Sequence, residues 1–153
     1  MAKYNANGTF LFSRGFTPEE GDAYNGNGFS FNGIATDKDH NFYITGQLDG
    51  KVDFDPGPNN NYLTNPQNIN SSFDIFLAKY DSLGRYQFAN SLYSTDTFSF
   101  RAHWGQDVWV DEHNDIVLTG VASGTIDFDP GADTLLFHPT YSNGCLFLTK
   151  YVQ

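Results

Sequence analysis

The sequence predicts an all-β fold assembled from four-stranded antiparallel sheets, about two to a chain, each covered on both faces. Three observations carry that prediction. Aromatic residues make up 17% of the chain and charged residues also only 17%, with abundant glycine, a composition that suits strands and tight turns. Asp-Phe-Asp-Pro-Gly is written twice, at 53–57 and again at 127–131. The runs "DIFLAKY" (74–80) and "CLFLTKY" (145–151) are apolar on both alternating faces, the pattern of a strand inside a covered sheet.

With 153 residues the chain is long enough for one domain with a real core. A formal charge of −10 and a pI near 4.4 repel nucleic-acid phosphates and anionic membranes, so neither is an expected partner. Cations and neutral ligands remain compatible. No run approaches the ~20 apolar residues of a membrane span, and "MAKYNANGTFLF" lacks the apolar core of a signal peptide. Membrane insertion is therefore not expected. The lone Cys145 lies in an apolar strand and is read as a small buried hydrophobe.

The two motifs are offset by 74 residues, and the similarity extends well beyond them. "DKDHNFYITG" (37–46) lies over "DEHNDIVLTG" (111–120), "FLAKY" (76–80) over "FLTKY" (147–151), and "AKYNANG" (2–8) over "AKYDSLG" (78–84). The chain thus reads as a repeat of about seventy residues. Within one unit, "GIATD" and "FYITG" form a hairpin about the turn "KDHN", and "DIFLAKY" and "RYQFANS" form another about "DSLG". The second unit supplies "QDVWVD", "DIVLTG" and "CLFLTKY" and stops before its fourth strand. The opening "AKY" reads as the end of a third strand, so "GTFLFSRGF" is an orphan fourth strand. A single two-repeat unit over 1–153 results: an orphan fourth strand at 1–16, a complete blade at about 33–92, and an incomplete blade at about 105–153, one blade being split between the termini.

Four-stranded sheets covered on both faces by their neighbours describe the blades of a β-propeller. The segments "GIATDKDHNFYITG", "GKVDFDPG" and "DIFLAKYDSLGRYQFANS" resemble the bacterial seven-bladed β-propeller repeat family. That resemblance covers nearly the whole chain. It implies a propeller, an exported or cell-surface location and no catalytic activity. Gly144-Cys145 departs from it, standing where Phe73-Asp74 stands in the other unit.

Two readings of the repeated motif stand side by side. In an extended strand Asp53 and Asp55, and likewise Asp127 and Asp129, point to one face, which suits Ca²⁺ as a bound cofactor. Alternatively, Pro56-Gly57 and Pro130-Gly131 form type II turns with the aspartates bonding nearby amides. The connectors "DAYNGNGFSFNG" (22–33) and "DTFSFRAHWGQD" (96–107) place Phe31, Arg101, His103 and Trp104 at a rim. There they either pack between blades or offer a glycan a stacking face. His40, His103, His113 and His138 show no metal-ligand spacing, and no acid pair or nucleophile triad is recognisable, so the chain is not expected to be an enzyme.

The expected role is that of a structural module. Two blades alone leave apolar faces uncovered, so the chain is expected to assemble with itself, head to tail, as a trimer or tetramer ring or as a filament. The strand carrying Phe10, Leu11 and Phe12 is expected to find no partner in its own chain and to pair in trans with Leu146, Phe147 and Leu148. A lectin-like module using the rim aromatics is the alternative function.

Overall fold

The computed structural model describes residues 1–18, 29–65, 73–94, 103–131, 133–139 and 144–153. It is all-β, with no helix among the described residues. The strands are β1 (Ala2–Tyr4), β2 (Phe10–Ser13), β3 (Thr17–Pro18), β4 (Phe29–Thr36), β5 (Phe42–Leu48), β6 (Lys51–Asp53) and β7 (Tyr62–Thr64). They continue as β8 (Asp74–Tyr80), β9 (Tyr86–Leu92), β10 (Trp104–Val110), β11 (Ile116–Ala122), β12 (Ile126–Asp127), β13 (Leu136–Phe137) and β14 (Cys145–Tyr151). One sheet has four strands in the order β4-β5-β8-β9, and a second has three, β10-β11-β14. Three small sheets accompany them: β1-β2, β3-β6-β7 and β12-β13.

A single side-chain device turns the main hairpins. In each, an Asn or Asp accepts from the amides two and four residues on: Asn5 Oδ1 from Asn7 and Thr9, Asp37 Oδ1 from Asp39 and Asn41. Asp81 Oδ1 takes those of Leu83 and Arg85, and Asp111 Oδ1 those of His113 and Asp115. The residue three on from each acceptor turns the chain through the left-handed region: Gly8 (φ 78°), His40 (φ 62°), Gly84 (φ 75°) and Asn114 (φ 69°). Glycine is free there and asparagine tolerates it, whereas for a histidine the conformation costs roughly 1–2 kcal/mol. Because His40 is exposed, His40→Gly is expected to raise stability by about 0.5–1 kcal/mol once glycine's extra unfolded entropy is deducted. A urea midpoint that fails to rise refutes this account of the turn.

Strand register recurs with the sequence offset. β4 on β5 pairs Ile34 with Ile44 and Thr36 with Phe42; β10 on β11 pairs Val108 with Leu118 and Val110 with Ile116, and both ladders shift register at the same place, before Gly33 and before Asp107. β8 on β9 pairs Ala78 with Ala89, Lys79 with Phe88 and Tyr80 with Tyr86. β1 on β2 pairs Ala2 with Ser13, Lys3 with Phe12 and Tyr4 with Phe10, again shifting register at the last step.

The core lies on both faces of the four-stranded sheet. On one face Tyr43, Ile75 and Leu77 share a cluster with Val108, Val110, Ile116 and Leu118 of the second sheet. On the other, Ile44, Phe76, Ala78 and Tyr80 pack with Phe54, and Met1 and Phe16 close over them. Strand β10 runs against β4 and β5, and Gly33 permits the approach: a Cβ there would lie 2.7 Å from Asp107 Cα and 2.9 Å from Val108 N. Asn32 Nδ2 donates to Gly105 O at 2.9 Å across the same contact.

Three expectations need correction. The strand at Phe10–Ser13 is not an orphan: it pairs with Ala2–Tyr4 of its own chain, and the Met1 ammonium donating to Arg14 O with the Arg14 amide donating to Met1 O extends the ladder. The first Phe-Ser-Phe belongs to β4 rather than to a connector, so that sheet begins at Phe29 and not near 33. Gly57 and Gly131 do not adopt the positive φ that a type II turn demands.

Candidate functional site

Two features stand out: the repeated Asp-Phe-Asp-Pro-Gly segment, and the outer face and edge of the three-stranded sheet. The motif serves the same bonds in both places. Asp53 Oδ1 accepts from Asp55 N (3.0 Å) and Asn61 N (2.9 Å), while Asp127 Oδ1 accepts from Asp129 N (3.0 Å) and Leu135 N (2.9 Å). Asp55 Oδ1 then takes Gly57 N at 2.7 Å, and Asp129 Oδ1 takes Gly131 N at 2.6 Å. The glycine leaves room for this bond: a Cβ on Gly57 would stand 2.8 Å from Asp55 Oδ1, and one on Gly131 2.9 Å from Asp129 Oδ1, so a larger residue would push the carboxylate aside.

The phenylalanine between the aspartates is the element these turns hold in place. Phe54 lies 4.9 Å from Phe76 at 56°, and Phe128 lies 4.9 Å from Phe147 at 57°. The end of the third strand then clamps each from the other side, Tyr80 OH donating to Phe54 O (2.8 Å) and Tyr151 OH to Phe128 O (3.1 Å). One Oδ1 of every motif aspartate is thus committed to backbone amides. No group of three or more His, Cys, Asp or Glu side chains suited to a metal occurs among the described residues.

Among the described residues, Phe31, His103 and Trp104 do not form a common stacking platform. His103 is fully buried, its Nδ1 accepting from Ser123 N at 3.1 Å. Trp104 is half-buried at the start of β10. Phe31 meets Phe16, Phe29 and Phe76 edge-on, and Arg101 lies outside the described residues. His40, His113 and His138 are exposed.

The outer face of the second sheet is where matched positions differ most. Ile75 and Leu77 are 0% and 4% exposed, covered by the second sheet, but their counterparts Leu146 and Leu148 in β14 are 85% and 71% exposed. Trp109, Leu136 and Phe137 are exposed on the same unit. Among the described residues no strand pairs with the outer edge of β14, whereas the matching edge of β8 carries β9. At the end of that strand Lys150 Nζ reaches Asp111 Oδ2 (2.8 Å) and Asp115 Oδ2 (2.9 Å). Its hydrogen bond and charge hold the Asp111 carboxyl well down, at about 2.

At the opposite end of the molecule, Ile34 is exposed although its counterpart Val108 is buried. Beside it a cavity of about 270 Å³ is lined by Met1, Phe16, Phe31, Gly33, Ile34 and Ile44. This end carries no conspicuous signal in the sequence, and only alignment of Ile34 with Val108 brings out the difference in burial. Comparison of the chain with protein-family models, with curated proteins and with solved structures returns no match.

Proposed function

We propose that the chain is a structural module of propeller type, not a catalyst, whose sheets stack face to face and continue from one copy to the next, head to tail. The carrying observation is the contrast between Ile75 and Leu77, buried by a neighbouring sheet, and Leu146 and Leu148, left open at the same positions. An apolar stripe of this kind on a freely soluble surface marks an interaction site. The residues with chemical potential support the same reading, since the motif aspartates and His103 are used in backbone bonds. Such stacking closes into a ring when the rotation between copies allows, with about six or eight sheets from three or four chains, and otherwise runs on as a filament.

Sedimentation of the wild-type chain and of Leu146→Glu/Leu148→Glu tests this. The wild type is expected at several times 17.1 kDa and the double variant at the monomer mass. A wild-type protein that stays monomeric at micromolar concentration removes the reading.

A further inference from the structure

Resting on that reading, we propose that copies join by strand exchange: β14 of one copy displaces β1 of the next and takes over pairing with its β2. Three independent observations converge on it.

The first is register. Carrying the β8-β9 ladder over by the sequence offsets pairs Tyr151 with Phe10, Lys150 with Phe12 and Thr149 with Ser13 of the next copy. These are the partners that Tyr4, Lys3 and Ala2 now have within the chain. Ala-Lys-Tyr in β1 and Thr-Lys-Tyr in β14 therefore compete for one strand in one register. Two strands cannot occupy that place, so β14 can pair with β2 of the next copy only if β1 leaves.

The second is the reach of β14 along its partner strand. β14 continues through Leu148 opposite Arg14 to Phe147 opposite Gly15 and Leu146 opposite Phe16, as β8 does with Leu77, Phe76 and Ile75 opposite Asn90, Ser91 and Leu92. The exchanged ladder covers the edge of β14 with which no described strand pairs. Main-chain pairing at an unpaired edge is a general means of joining chains.

The third is the cavity. Met1 holds the place that Leu148 takes in the exchanged form, and the space next to it is walled by Phe16, Phe31 and Ile34. In register, Leu146 fills that space. Its exposed side chain and the empty apolar cavity are thus the two halves of one contact. Asp107 and Phe31 stand where Gly33 and Gly105 allow the closest approach inside the chain, so the first strands of adjoining copies sit further apart and contact concentrates on the third strand.

Disulfides placed by register test the exchange, all in a Cys145→Ser background. Ala2 and Ser13 face each other next to the hydrogen-bonded Met1–Arg14 pair, a non-hydrogen-bonded site whose spacing suits a disulfide. Oxidised Ala2→Cys/Ser13→Cys should be monomeric and should recover the parent's particle mass on reduction. Ser13→Cys/Thr149→Cys should instead give covalent multimers on a non-reducing gel. Deleting residues 1–4 should promote assembly, lowering the concentration at which the large particle appears. If the parent assembles but the locked variant assembles equally well, or Ser13→Cys/Thr149→Cys forms no covalent link between separate copies, the exchange is wrong while the stacking reading stands. If the parent and the 1–4 deletion both remain monomeric, both are wrong.

Discussion

Phe54→Ala is expected to cost about 3–5 kcal/mol, the usual range for emptying a buried aromatic site, and Phe128→Ala distinctly less. Phe54 is fully enclosed: its ring meets Phe16 and Phe76, while its carbonyl is held by Tyr80. The shell around it consists of packed strands that cannot collapse into the vacancy. Phe128 makes the matching contact with Phe147, but its other ring neighbour, Phe137, is exposed. The second site can relax or admit water, so less is lost there. Against a typical total stability of about 5–15 kcal/mol, the first variant should shift the urea midpoint greatly. Equal losses for the two variants would show that the two motifs are equally enclosed and that the open face has no energetic consequence in the single chain.

How much of this was legible depends on the length of the signal. Seven-residue strands such as β8 and β14 declare themselves by apolar residues on both faces, and the turns "KDHN" and "DSLG" mark two of the hairpins. The three-residue β1 has no periodicity to read, so its role as partner to β2 could emerge only from the fold, although its Lys-Tyr already matched β14. The first Phe-Ser-Phe was hidden for another reason. The register shift between Phe31 and Gly33 breaks the alternation expected of a strand, leaving it looking like a connector. Pro-Gly after an aspartate suggested a type II turn, but the side chain of Asp55 displaced that solution by capping the Gly57 amide itself. In the sequence His103 lies in a long connector at a rim, where packing and glycan stacking are both open; the fold buries it.

Asp74→Asn should stabilise the protein at pH 8 relative to pH 4, and the change with pH is the decisive quantity. Asp74 is 1% exposed, and its Oδ2 has no hydrogen-bond partner. Burial, reinforced by the charge of Asp49 and opposed by the Ser94 amide, raises its carboxyl from 3.8 to about 7. Below pH 3.8 both folded and unfolded chains carry the proton, and the group has no pH-dependent effect. Between 3.8 and about 7 the unfolded chain ionises while the folded one stays neutral, so stability falls as pH rises, at about 1.4 kcal/mol per unit. Above about 7 the loss is complete, reaching roughly 4 kcal/mol at most. Asparagine keeps the acceptor for the Ser94 amide and never ionises, although its amide hydrogens take the unpartnered position. The variant is therefore expected at or below the parent's stability at pH 4 and above it at pH 8. The depressed carboxyls of Asp37, Asp81, Asp111 and Asp115 act in the opposite direction, their stabilisation being lost as pH falls, but they are common to both proteins and cancel in the difference. Urea unfolding of the pair at several pH values measures that difference directly. A stability gap that stays flat from pH 4 to 8 would mean that Asp74 ionises normally in the folded chain and that its burial carries no charge penalty.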